Sequence, residues 1–344
     1  MMKRAAALVL AVSMMAATFT GCGNKEFDGT EVVAKVGETE VTADVANFFA
    51  RYQQGYYETY YADTMGEEMW AENIGEGLSY EEAVKSEVLE ALKTLYVVNE
   101  YADEYNVSLT KEEKNAIKKA AESFVKANDE EDLALVSGNE EVVTEVLEKI
   151  TIQHKMRKHM IKDVDRIVSN DEAAQKRAQY VYFSFVETDE EDKIRDLDES
   201  EKEQLINKAE ALIEGGKKTD DFAAYAKEKG YDVSALTFDS ETTAPSAVLV
   251  EAADSLKEGE FADVVVDKAG CYVVKLVSNL DKDATNAKKE QIILEREDAE
   301  YRETCEKWTE EIGVELNEDV WEKIGFQKVG VTMKTSTTEE KTEE

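Results

Sequence analysis

Pro245 is the only proline in a chain of 344 residues. Inside a helix, proline removes a backbone donor and clashes with the preceding turn. A chain with one such break is free to run long uninterrupted helices. The apolar pattern uses that freedom. Thr42 stands at the N-cap of a helix that reads to residue 61, with ring residues at Phe48, Phe49, Tyr52, Tyr56, Tyr57, Tyr60 and Tyr61. Residues 80–105 repeat apolar side chains at Val88, Leu89, Leu92, Leu95, Tyr96 and Val98, the period of an amphipathic helix. Thr110 and Glu113 have capping-box spacing and open a helix to about residue 127. Residues 128–132 make an acidic break, and Asn139 caps a further helix over 140–168. Ahead of all these, residues 31–41 alternate around Gly37-Glu38 as a small strand–turn–strand.

After residue 170 the period changes. Residues 178–186, AQYVYFSFV, alternate as a strand. Helices follow over 200–214, closed by Gly215-Gly216, over 220–229, and over 246–256 just after Pro245. Strands follow over 261–266 and 271–278, with room for one more before the third helix. That order makes a compact α+β domain, and the chain as a whole is α+β. A charged helix over 284–312, a short helix capped by Asn317 and a Thr/Glu/Lys tail from 331 complete the chain.

The first residues read as an address. Lys3 and Arg4 precede an apolar run, residues 5–19, shorter than the ~20 residues of a membrane span. Phe19-Thr20-Gly21-Cys22 then looks like a bacterial lipobox. That likeness implies a signal peptide over 1–21, lipid on Cys22 and a polar tether over 22–30. Two acyl chains give stable anchoring where one is marginal. The protein is then expected to be extracytoplasmic, lipid-anchored to the outer face of the bacterial cytoplasmic membrane. An ordinary signal peptide or an N-terminal anchor helix is the alternative. Cys271 and Cys305 either pair in an oxidising compartment or remain buried thiols.

Charge and motifs exclude several functions. Asp and Glu number 77 against 41 Lys and Arg, for a net charge of −36. A body this anionic repels phosphate backbones, so no nucleic-acid partner is expected. His154 and His159 stand five apart, ~140° around a helix, and do not share a metal. Gly215-Gly216-Lys217-Lys218-Thr219 lacks the spacing of a phosphate loop. Residues 281–285 lack the central Gly and final Glu of a calcium loop. No metal and no cofactor are expected. The acidic run 187–201 reads as a solvated helix face.

Four blocks in the second half carry a resemblance. Ala178-Gln179-Tyr180-Val181-Tyr182 stands where parvulin-type peptidyl-prolyl isomerases open with Ala-Arg-His-Ile-Leu. Phe222-Ala223-Ala224-Tyr225-Ala226-Lys227-Glu228 is similar to their Phe-Ala-x-x-Ala-Lys-Glu helix. Residues 249–260, LVEAADSLKEGE, resemble their Phe-Glu-Glu-Ala-Ala-x-x-Leu-Lys-x-Gly-Glu segment. Residues 269–276, AGCYVVKL, resemble the last strand, Phe-Gly-Tyr-His-Ile-Ile-Lys-Leu. The flanks, Val32 to Gly37 with Val41-Thr42 and Glu315 to Trp321, look like PrsA- and SurA-type extracytoplasmic foldases. In such proteins a helical chaperone domain built from both chain ends carries an inserted parvulin domain. The resemblance therefore implies a chaperone domain over 31–172 completed by 281–328, a parvulin-like domain over 175–280 and a disordered tail over 329–344.

The resemblance also implies site residues. Tyr180 and Tyr272 replace the two family histidines, and Asp232 stands at the acidic position, which makes these three the candidate catalytic residues. Leu249 replaces the aromatic of the proline pocket, with Phe238 and Tyr182 as further substrate-binding candidates. The family's glycine-rich loop is missing, replaced by a shorter connection over 233–244. Phe49, Tyr52, Tyr56 and Tyr60 are the candidate client-binding side chains. The implied function is a membrane-anchored folding factor for unfolded or newly secreted polypeptides, with isomerase activity weakened or lost. The alternative is a non-catalytic scaffold lipoprotein of the cell envelope.

Overall fold

The computed structural model describes residues 14–16, 27–188, 194–326 and 330–333. Two compact units result. One is built by both chain ends, up to Val164 and from Asp298, and the other by Asp165–Glu297. Along the chain the elements are β1 (Met14–Ala16), β2 (Val32–Val36), β3 (Thr39–Thr42), α1 (Ala43–Met65), a 3-10 turn (Met69–Ala71), α2 (Tyr80–Glu100), α3 (Lys111–Ala127), α4 (Glu130–Leu135) and α5 (Glu140–Met160). There follow β4 (Lys176–Ser184), β5 (Val186–Thr188), β6 (Ile194–Asp196), α6 (Glu199–Gly216), α7 (Phe222–Glu228), β7 (Ser234–Phe238), α8 (Ala247–Asp254), β8 (Val265–Val266) and β9 (Gly270–Ser278). Last come α9 (Lys282–Ile312), β10 (Val314–Leu316), α10 (Glu318–Trp321) and β11 (Val331–Met333).

In the unit of both chain ends, the caps explain where the helices start. Thr42 Oγ1 accepts from Val45 N, and Asn139 Oδ1 accepts from Val142 N at 3.0 Å. Ser79 with Glu82 and Thr110 with Glu113 form reciprocal capping boxes, each satisfying two otherwise orphaned amides. The apolar faces of α1, α2, α3 and α5 share one core, including Phe48, Trp70, Leu92, Leu95, Tyr96 and Met156. The C-terminal segment completes it. β10 adds to β2 as an antiparallel edge in the order β10-β2-β3, Trp308 stacks on Tyr101 at 4.3 Å, and Phe326 is fully buried.

In the middle unit, an antiparallel sheet of order β7-β4-β9-β8 separates two cores. Strand alternation sends Val181 and Phe183 to one face, under α6 and α7. Ala178 and Tyr180 go to the other, with Phe238, α8 residue Leu249 and β9 residues Tyr272, Val274 and Leu276.

Several elements differ from the sequence reading. The acidic break at 128–132 holds α4, because Asp129 caps it through Glu131 N and Asp132 N. Of the acidic run 187–201, the described residues pair β5 antiparallel with β6 and then start α6 at Glu199, rather than forming one helix face. The Glu187 and Glu201 carboxylates share Arg195, which offsets their repulsion. The connection 233–244 carries β7. The helix read over 80–105 ends at Glu100, and the one read over 140–168 ends at Met160. Val331–Met333 is strand where the sequence reads an unstructured tail, and residues 334–344 lie outside the described residues. No helix among the described residues is long and apolar enough to cross a membrane.

Candidate functional site

In the middle unit, Tyr180 and Tyr182 stand two residues apart on β4 and so share a sheet face. Tyr182 pairs directly with Tyr272 of β9. The Tyr272 ring lies 4.9 Å from Tyr182 and 6.0 Å, edge-on, from Tyr180. Gly270 makes room for this arrangement. A Cβ there would fall 2.4 Å from Tyr182 Cε2 and 2.3 Å from the Phe183 carbonyl. Tyr182 Oη donates to the Ala269 carbonyl at 2.6 Å, which pins its ring while 42% of the side chain stays exposed.

Tyr272 is buried, and its hydroxyl bonds with Ser246. Ser246, also buried, donates to Asp267 Oδ2 at 2.5 Å, and Asp267 Oδ1 accepts from Lys268 N at 2.6 Å. Burial is the main cause that raises the Tyr272 phenol above its ordinary value; the Tyr182 and Asp267 neighbours add to it and Ser246 opposes it. The bond from Ser246, then that from Lys268 N, holds the Asp267 carboxyl below its usual range. The result is a neutral phenol beside a charged carboxylate, linked through one serine. Ser246 gives its one hydroxyl hydrogen to Asp267, so the Tyr272 hydroxyl donates to Ser246 and its own hydrogen is engaged. The phenol is no base at neutral pH.

The residues implied by the resemblance separate into two sets. Tyr180, Tyr182 and Tyr272 come together. Asp232 is exposed in the turn before β7, and no hydrogen bond or ring contact joins it to them. Leu249 and Phe238 have no exposed surface. They form the floor under Tyr180 and Tyr272 in the same core. The sequence reading passed over Ser246 and Asp267. Their signals were slight: a serine directly after the sole proline, and an aspartate in the turn between two strands.

In the unit of both chain ends, the ring residues of α1 divide. Phe49 is buried, and Phe49 and Tyr52 line an apolar cavity of about 30 Å³ with Phe48, Phe124, Val143 and Leu147. A cavity of that size holds about one water and no peptide. Tyr56, Tyr60 and Tyr61 are 43%, 59% and 44% exposed. They rest on a second tier. Tyr57 meets Tyr56 at 5.9 Å and Tyr61 at 6.0 Å, packs edge-on to Trp70 and Tyr80, and Trp70 stacks on Tyr80 at 5.4 Å. The loop after Trp70 adds exposed Ile74 and Leu78.

Polar residues anchor the same helix from beneath. Buried Glu58 accepts at Oε1 from Gln54 Nε2 at 2.6 Å and Trp70 Nε1 at 2.8 Å, and at Oε2 from the amides of Gly330 at 2.7 Å and Val331 at 2.6 Å. Arg51 bonds Gln54 Oε1 at 2.6 Å; burial lowers its guanidinium to about 10, against the pull of Glu58 and Glu81.

Cys271 and Cys305 are both free thiols, each buried within its own unit. Burial pushes each thiol up to about 11. Cys22, the expected lipidation residue, lies outside the described residues. His154 and His159 are exposed, and among the described residues no cluster of three or more His, Cys, Asp or Glu is placed to hold a metal.

No protein-family model matches the chain, and no curated protein matches it by sequence. Solved structures similar to it include the foldase protein PrsA of Lactococcus lactis, at 15% identity over 85% of this chain and 96% of that one, with a TM-score of 0.34. The peptidylprolyl isomerase PrsA of Bacillus anthracis is similar at 18% identity over 67% of this chain and 99% of that one, TM-score 0.26. A SurA-like chaperone structure from Campylobacter jejuni is similar at 12% identity over 83% of this chain and 99% of that one, TM-score 0.29.

Proposed function

We propose that this protein is a folding factor of the extracytoplasmic foldase type, lipid-anchored through Cys22, that holds unfolded, newly secreted polypeptides. The observation that supports it is the exposed row Tyr56, Tyr60 and Tyr61 beside a Trp70–Tyr80 stack whose indole is buried. Exposed apolar clusters of this kind mark binding surfaces. Ring contacts contribute only about 0.5–1.5 kcal/mol each beyond area burial, so the surface suits many apolar sequences and releases all of them. The net charge of −36 keeps the loaded protein soluble.

The parvulin-like unit acts in this reading as an accessory binder. Prolyl isomerisation breaks no covalent bond; it needs the amide's ~18–20 kcal/mol rotation barrier lowered. An enzyme does so by binding the twisted amide better than the planar one. Tyr272 is buried with its hydroxyl engaged by Ser246, and Leu249 and Phe238 are closed to a proline ring.

Two assays test the reading on the mature chain from residue 22, with Cys22→Ser for solubility. The chain should suppress aggregation of a chemically unfolded reporter, and Tyr56→Ser with Tyr60→Ser should remove most of that effect without lowering stability. A protease-coupled prolyl isomerisation assay should show no rate enhancement. No suppression, with one stoichiometric partner recovered from cell envelope, would replace the folding-factor reading by the scaffold one. An enhancement lost in Tyr272→Phe would make the tyrosine face an active site.

A further inference from the structure

β11 is a strand of three residues held on one side by a helix. The amides of Gly330 and Val331 donate to Glu58 Oε2, and Met333 N donates to Thr59 Oγ1 at 2.8 Å. Gly55 of α1 lets the strand lie close: a Cβ there would meet Val331 Cγ1 at 3.3 Å and the Val331 carbonyl at 3.7 Å. Val331 and Met333 thus turn their backbone groups toward α1. In a strand, backbone groups alternate sides, so the N–H and C=O of Thr332 face away from the helix, along an open edge.

One segment sits on that edge. β1 pairs antiparallel with β11 in the register Met14↔Met333, Met15↔Thr332 and Ala16↔Val331, and it lies against α4. These residues belong to the apolar run that the lipobox reading removes on maturation. A buried carboxylate and a glycine are therefore committed to presenting an edge whose occupant is lost when the leader is cut.

We propose that the outer edge of β11 is an acceptor for an extended, apolar client segment, bound by strand addition, and that the leader fills it in the precursor. This deepens the folding-factor reading and rests on it. Main-chain pairing makes the site tolerant of client sequence, because every residue but proline offers the same backbone groups. It also makes the precursor self-occluded. A leader tethered nearby competes at an effective concentration of about 1 mM, so a peptide of ~100 μM affinity binds the precursor about tenfold more weakly than the mature chain.

The test uses a fluorescein-labelled peptide, LAVSMMAATFT, the sequence of residues 10–20, titrated by anisotropy into the full chain and into the chain from residue 22. Hydrogen exchange is followed at 330–333. The mature chain should bind, the full chain about tenfold more weakly, and binding should protect the Thr332 amide. Thr332→Pro removes the outward N–H and should abolish binding, whereas Thr332→Ala keeps the backbone and should bind as the parent does. Equal binding to all four proteins overturns the proposal, as does protection elsewhere than 330–333. If the mature chain suppresses reporter aggregation and binds no peptide, strand addition fails while the folding-factor reading stands. If the peptide binds as expected but no reporter is protected, the edge is real and the folding-factor reading fails.

Discussion

Glu58→Gln keeps the shape of a buried side chain but turns one acceptor oxygen into an NH2 donor. All four of the carboxylate's partners are donors: Gln54, Trp70 and the amides of Gly330 and Val331. An indole N–H only donates. Gln54 cannot turn its oxygen inward, because Arg51 already bonds it at 2.6 Å. The remaining oxygen of the new amide must therefore face Trp70 and Gln54, which sets its NH2 against the two strand amides. Two bonds to a charged acceptor are lost, each contributing about 1.5–3 kcal/mol. The docked state of β11 should weaken by about 3–6 kcal/mol, a factor of at least ~100 in its opening equilibrium. Hydrogen-exchange mass spectrometry on residues 330–333 reads this directly, while α2 and α5 should keep their protection. Thr59→Ala, which loses the bond from Met333 N and the hydroxyl's own bond to the Gly55 carbonyl within α1, should cost about 1 kcal/mol in the same assay. Unchanged protection at 330–333 in Glu58→Gln would refute the account of what holds the strand.

Leu249→Ala should destabilise the middle unit by about 2–5 kcal/mol in urea unfolding, because Leu249 is fully buried; a loss under ~1 kcal/mol would mean that α8 stands open over a pocket. Native Cys271 and Cys305 should resist a thiol reagent at pH 8 and react only on unfolding, since burial holds both near 11. Glu201 is held at about 2, first by Arg195 and then by the Asp198 amide, against 4.5 for a free side chain. Its contribution is therefore present above pH 4.5 and is lost as pH falls from there toward 2; in Glu201→Gln that part of the acid profile should flatten, and an unchanged profile would rule the linkage out.

What could be read in the sequence was local. Capping at Thr42, Ser79, Thr110 and Asn139 is decided within four residues, so helix starts were legible to within a residue or two. Helix ends were less so: α2 stops at Glu100 and α5 at Met160 with no glycine or proline there to mark the stop. The alternation of AQYVYFSFV gave the sheet face that gathers Tyr180 and Tyr182, and the match around AGCYVVKL brought Tyr272 beside them. Short strands escaped: β10 and β11 are three residues each, too few for any period to emerge, and each exists because a distant element pairs with it or accepts its amides.

Composition and period by themselves determined an acidic α+β chain with long helices at both ends and a sheet between. Only the tertiary structure decided which of its aromatic and aliphatic side chains remain outside. Tyr56, Tyr60 and Tyr182 keep exposed surface whereas Tyr96 and Tyr272 are buried, and the residue type does not distinguish them. Burial is settled by what packs on top, and what packs on top comes from residues far away in sequence. The same reason hides Glu58: in the sequence it is one acidic residue among 77, and only the fold brings an indole and two strand amides to its oxygens.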